Sequence, residues 1–85
     1  MKEFTYTLTD PQGMHARPAG LFVKQAAAFP CDVSIEKDGK KVNAKGILGV
    51  MSLGAKQGHE LHVIVEGDQE EECAEALEAF LKENL

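Results

Sequence analysis

With 85 residues, 44% hydrophobic and 27% charged, the chain has room for one domain over residues 1–85 and one small core. No apolar run reaches the roughly 20 residues that cross a bilayer. The start, MKEFTYTLTD, lacks a signal-peptide stretch, so a cytoplasmic protein without membrane insertion is expected. The net charge of −5 repels nucleic acid, yet residues 1–58 hold eight Lys/Arg against five Asp/Glu and can attract an anion or acidic partner.

Phe4 to Thr9 alternates apolar and polar residues and predicts a half-buried strand. Asp10-Pro11-Gln12-Gly13 is a turn, since Pro fixes φ and Gly accepts positive φ. From Ala16 to about Ala28 the apolar residues Ala19, Phe22, Val23 and Ala26 recur at helical spacing. Pro18 stands in the first turn, where its missing N–H costs nothing, and Phe29-Pro30 ends the helix. Cys31, Val33 and Ile35 mark a second strand, and Asp38-Gly39 is a two-residue hairpin signal leading to a third strand, about Lys40–Asn43.

The run Ile47 to Leu53, closed by Gly54, holds an internal glycine and predicts one or two helical turns kept by packing. So short a helix cannot point five apolar residues inward. Val50 and Leu53 are assigned to the core, and Ile47, Leu48 and Met51 partly to the surface. A last strand spans about Glu60–Glu66, with Leu61, Val63 and Val65 on one face. Asp68 is the expected cap of a final helix whose stripe is Cys73, Ala74, Leu77, Phe80 and Leu81. Residues 59–85 hold nine acids against one Lys, which reads as a solvated helix face. The order β-α-β-β-α-β-α implies a two-layer α+β sandwich, and the hairpin makes at least part of its sheet antiparallel.

Several residues carry no chemistry on this reading. Cys31 and Cys73 belong to no metal or CxxC spacing and are expected as reduced core thiols, although spacing leaves a disulfide open. His59 and His62, three apart in a strand region, should face opposite ways and make a poor metal pair. Lys37, Lys40 and Lys41 flank the hairpin, where charges protect a strand edge. No metal site and no cofactor motif is found.

Gly13-Met14-His15-Ala16-Arg17-Pro18 is the constellation with chemistry. It sets a histidine at a helix start, where unsatisfied amides and the helix dipole bind anions, phosphate above all. Pro18 has no N–H, so the amides of Ala16 and Arg17 are the candidate donors, and the Arg17 guanidinium adds a charge-assisted contact. Neutral imidazole is nucleophilic near pH 7 and can carry a phosphoryl group covalently. The same local pattern equally suits a histidine that only caps the helix beside an arginine that is a surface charge.

Gly13 to Ala19 resembles the phosphohistidine signature of HPr, the phosphocarrier of the bacterial phosphoenolpyruvate-dependent sugar phosphotransferase system. The similarity runs on through Asn43-Ala44-Lys45, Met51-Ser52-Leu53-Gly54, Gln57-Gly58 and Glu66-Gly67-Asp68. The resemblance implies an open-faced sandwich, a four-stranded antiparallel sheet of order 1-4-2-3 with three helices on one face. It implies that His15 accepts a phosphoryl group from Enzyme I through Nδ1 and donates it to EIIA domains of sugar permeases, assisted by Arg17. It further implies a monomeric carrier, no enzyme with its own turnover, and a docking surface including Ala16, Arg17, Gly20, Lys24, Lys45, Ile47, Leu48 and Met51.

One position departs from the family pattern. Many relatives from low-GC Gram-positive bacteria carry a regulatory serine after the Ala-Lys pair, where this chain has Gly46. Kinase control at that position is therefore not expected. Two other functions fit the same residues: a carrier in a parallel relay, nitrogen-related or of the dihydroxyacetone kinase system, and a regulatory binding module that no longer transfers. Relatives of the last kind tend to lose the histidine and keep the serine, the reverse of what this chain shows.

Overall fold

The computed structural model describes residues Met1–Leu85. Their order is β1 (Lys2–Thr7), α1 (Ala16–Ala27), β2 (Asp32–Lys37), β3 (Lys40–Asn43), α2 (Ile47–Ser52), β4 (Glu60–Glu66) and α3 (Glu70–Asn84). All neighbouring strands are antiparallel, and the sheet order is β1-β4-β2-β3.

Register explains why one face of the sheet is greasy. Phe4 faces Val63, Tyr6 faces Leu61, Val33 faces Val65, and Ile35 stands between Val63 and Val42. Period-two alternation thus delivers these apolar strand residues to the same side, while Ile64, paired with Glu3 and Ser34, faces the other. The helices cover it with Phe22 and Ala26 of α1, Val50 of α2, and Cys73, Leu77 and Leu81 of α3, all of them buried. Phe22 and Phe80 meet at 6.1 Å between α1 and α3, in tilted aromatic contact. The resulting cluster of 19 buried residues runs through all three helices, both central strands and the loops between them.

The hairpin forms as Asp38-Gly39 requires, with φ of 52° and 83° at its two corner residues. Both cysteines are buried and free. Three expectations need correction. The first strand starts at Lys2 and ends at Thr7, because Thr9 leaves the ladder. Its N–H and hydroxyl both donate to Leu85 O, at 2.6 and 2.8 Å. The last helix is not capped by Asp68. Gln69 takes the cap position in left-handed backbone, without a side-chain cap bond, and Gly67 N–H finds the Glu70 carboxylate at 3.2 Å.

The third correction concerns the hairpin lysines, which do more than guard an edge. Lys37 Nζ donates to Leu53 O at 3.2 Å and Lys40 Nζ to Ser52 O at 3.3 Å, both at the C-terminal end of α2. His62 also has a local task. On the open sheet face its Nε2 lies 2.7 Å from Glu3 Oε1 and its Nδ1 3.3 Å from Glu36 Oε1, which ties β1, β4 and β2 together.

Candidate functional site

The chain approaches α1 through a turn that only glycine can make. Gly13 has φ +64°, and a β-carbon there would stand 2.5 Å from Ala55 O and Lys56 Cα. Gly13 N–H bonds Asp10 O at 2.9 Å, and Met14 N–H bonds Ala55 O at 3.0 Å. The Met14 side chain is buried, so the residue before His15 is pinned by both backbone and side chain. The floor beneath it is held in turn by His59, whose Nδ1 accepts Lys56 N–H at 3.0 Å.

His15 is the N-cap of α1, in extended backbone (φ −83°, ψ 177°), and its side chain makes no capping bond. The first intrahelical bond is Ala19 N–H to His15 O, at 3.0 Å. Pro18 has no N–H, so the amides of Ala16 and Arg17 are the two free donors at this helix end. The half-buried imidazole, Arg17, Pro18, Leu21 and Asn84 line a shallow cleft of about 250 Å³ between the start of α1 and the end of α3. Arg17 is exposed. His15 and Arg17 therefore border one opening at a helix end with two free amides, an arrangement able to take a tetrahedral anion.

Around the cleft the sequence-designated residues separate into two groups. Arg17, Gly20 and Lys24 follow one another at helical spacing along the outer side of α1. Leu21 belongs to that stripe, 47% exposed, and sequence reasoning passed over it. Its signal was its position: it falls off the buried set Ala19, Phe22 and Ala26 and four residues from Arg17. On α2, Val50 and Leu53 are buried, whereas Leu48 is 83% exposed and Ile47 and Met51 lie just above one-third exposure.

The chain leaving α2 lies beside the chain entering α1, where Met14 N–H bonds Ala55 O. The opposite end is closed by Lys45, whose ammonium donates to Phe29 O at 2.7 Å. Helix α1 has 12 residues, about 18 Å of length, so Lys45 lies far from His15 and is engaged within the fold. Met51, at the near end, is the apolar surface residue of α2 closest in sequence to the Ala55 floor. Gly46 caps α2 in extended backbone (φ −114°), with room for a β-carbon.

Comparisons with known proteins bear on this geometry. The family model described as "PTS HPr component phosphorylation site" matches residues 2–83. The HPr-like protein Crh of Bacillus subtilis is 51% identical over 73 residues, 86% of each chain. A crystal structure of Crh, described as the catabolite repression containing protein and as a swapped dimer, superposes with TM-score 0.78 at 45% identity, covering 100% of this chain and 98% of that one. HPr of Thermoanaerobacter tengcongensis matches at TM-score 0.93 and 49% identity, over 96% of this chain and 92% of that one. The phosphocarrier protein HPr of Bacillus anthracis matches at TM-score 0.89 and 44% identity, over 94% and 95%.

Proposed function

The chain belongs to the HPr family of the phosphotransferase system, and on that premise we propose that it carries a phosphoryl group on His15. The observation behind this reading is the imidazole at the N-cap of α1, unused in capping and bordered by two free amides and Arg17. Phosphoryl transfer asks a protein mainly for positioning and charge stabilisation. The Nδ1 lone pair forms the new P–N bond as the bond from phosphorus to the donor breaks. The amides of Ala16 and Arg17 and the guanidinium face the spreading charge on the phosphoryl oxygens. Transfer onward is the same step reversed toward an acceptor, which makes the protein a carrier with a covalent intermediate.

In this reading the donor is Enzyme I and the acceptors are EIIA domains of sugar permeases. Ile47, Leu48 and Met51 supply the buried centre of the docking surface, and Arg17, Gly20, Leu21 and Lys24 its second side. Every group of the site comes from one chain, so a monomer suffices. Lys45 is left out of the surface because its ammonium is bound to Phe29 O.

The direct test is incubation with Enzyme I and phosphoenolpyruvate, followed by intact mass measurement. One acid-labile, base-stable phosphate should appear, and His15→Ala should abolish it; persistent labelling of His15→Ala overturns the assignment. A second reading is a regulatory module that binds without transferring, favoured by the 51% identity to the HPr-like protein Crh. It predicts partner binding with no phosphate on His15.

A further inference from the structure

By its own sequence, α2 is the weakest element of the fold. It has six residues, an internal glycine, no side-chain cap and no basic residue in its last turn. Such a segment holds no helix alone. Its termination also leaves carbonyls to satisfy. Leu53 N–H takes Val50 O at 3.3 Å and Gly54 N–H takes Met51 O at 3.2 Å. Ser52 O and Leu53 O come next, and no backbone N–H reaches them.

Two of the three ammonium groups of the β2–β3 hairpin meet those two carbonyls, Lys40 at Ser52 O and Lys37 at Leu53 O. The Lys37 side chain is only 15% exposed, and its ammonium also contacts Asp38 Oδ2 at 3.3 Å. Two cations thus stand at the negative end of a helix that has none of its own. The chain leaving this end is Gly54-Ala55-Lys56, the floor against which Gly13 and Met14 rest. At the middle of α2, Gly49 lies against Val42 of β3, 3.4 Å from a would-be β-carbon, so the helix is seated on the same hairpin.

We propose that Lys37 and Lys40 are positioning residues for partner recognition. By closing the C-terminal end of α2 they hold Ile47, Leu48 and Met51 and the floor beneath His15 in one arrangement. The recognition half of this inference rests on the carrier reading; the anchoring half does not.

The experiment has two arms that separate them. In the isolated protein, Lys37→Met combined with Lys40→Gln keeps the stems and removes both ammonium groups. Amide hydrogen exchange at Val50, Leu53 and Gly54 should speed up about tenfold while β4 amides stay unchanged, the size expected for lost bonds to charged groups. In transfer from Enzyme I the same variant should raise KM about fivefold and leave kcat alone, since His15 and Arg17 are intact. Lys40→Arg should retain wild-type exchange and KM. Lys41→Gln removes an equal charge from the same hairpin, and Lys41 has no bond to α2, so it should change neither. Unchanged exchange in the double variant overturns the anchoring. An equal rise in KM for Lys41→Gln overturns positioning in favour of charge steering. Failure of the wild type to accept phosphate defeats the carrier reading and the recognition half with it.

Discussion

Gly13 carries a left-handed backbone and a backbone contact at once, and the two costs can be measured apart. Left-handed φ costs a residue with a β-carbon about 1–2 kcal/mol. Loss of glycine's freedom in the unfolded chain returns about 0.4–1 kcal/mol. The β-carbon of Gly13→Ala would also stand 2.5 Å from Ala55 O and Lys56 Cα, atoms that cannot rotate away. Overpacking of that kind adds about 1–3 kcal/mol, so the total loss is about 3 kcal/mol. Gly54 supplies the control, because it has φ +61° and nothing within 4 Å of its would-be β-carbon. Gly54→Ala should lose only about 1 kcal/mol by the same reckoning.

Urea unfolding followed by circular dichroism reads both. With a slope of about 1 kcal/mol per molar, Gly13→Ala should lower the midpoint by about 3 M and Gly54→Ala by about 1 M. The clash would also lift the His15 loop off its floor, so transfer from Enzyme I should slow in Gly13→Ala under conditions where it is still folded. Equal midpoints for the two variants would refute the close approach of the Gly13 turn to the 55–56 backbone. Normal transfer in folded Gly13→Ala would refute its role in setting His15.

Three further outcomes are expected. Leu48 is 83% exposed, so Leu48→Asp should change stability by less than about 0.5 kcal/mol, yet weaken Enzyme I binding by about 2 kcal/mol as a docking centre would. Titration calorimetry should show no such loss for Glu75→Lys, exposed on α3. Burial, with the Cys31 thiol second, pushes the Cys73 thiol up to about 12. Above the ordinary thiol range near 8.5–9 the unfolded chain therefore sheds a proton that the folded one keeps, and stability should fall as pH rises. Urea midpoints between pH 7 and 10 should show that slope, flattened in Cys73→Ala. Gly46→Ser should fold normally and gain a few tenths of a kcal/mol by capping α2, because its β-carbon meets only Asn43 O at 3.8 Å; a lowered melting temperature would count against that.

Much of this protein is local and was therefore legible in the chain. Alternation in Cys31 to Glu36 and Glu60 to Glu66, the Asp38-Gly39 turn, and the spacing Ala19, Phe22, Ala26 each specify an element through its own period. The candidate site was legible for the same reason: His15, Arg17 and the two free amides lie within one helical turn, so their proximity follows from sequence distance. Strand order did not follow from spacing. It came from resemblance to HPr, and the structure has that order.

What folding alone decided depends on contacts between distant residues. Asp68 looked like a cap, but the path from β4 into α3 sets Gln69 in left-handed backbone instead. Lys45 was placed on the docking surface by the resemblance, but the fold brings the Phe29 carbonyl, 16 residues away in the chain, to its ammonium. Lys37 and Lys40 read as edge charges because nothing local names their acceptors; Leu53 O and Ser52 O lie 16 and 12 residues off. Leu21 falls off the legible stripe of α1, and the structure shows how far it is exposed, at 47%. A helix or strand follows from side-chain periodicity along a few residues, whereas the partner of a long flexible cation is fixed only when tertiary packing brings an orphan carbonyl to it.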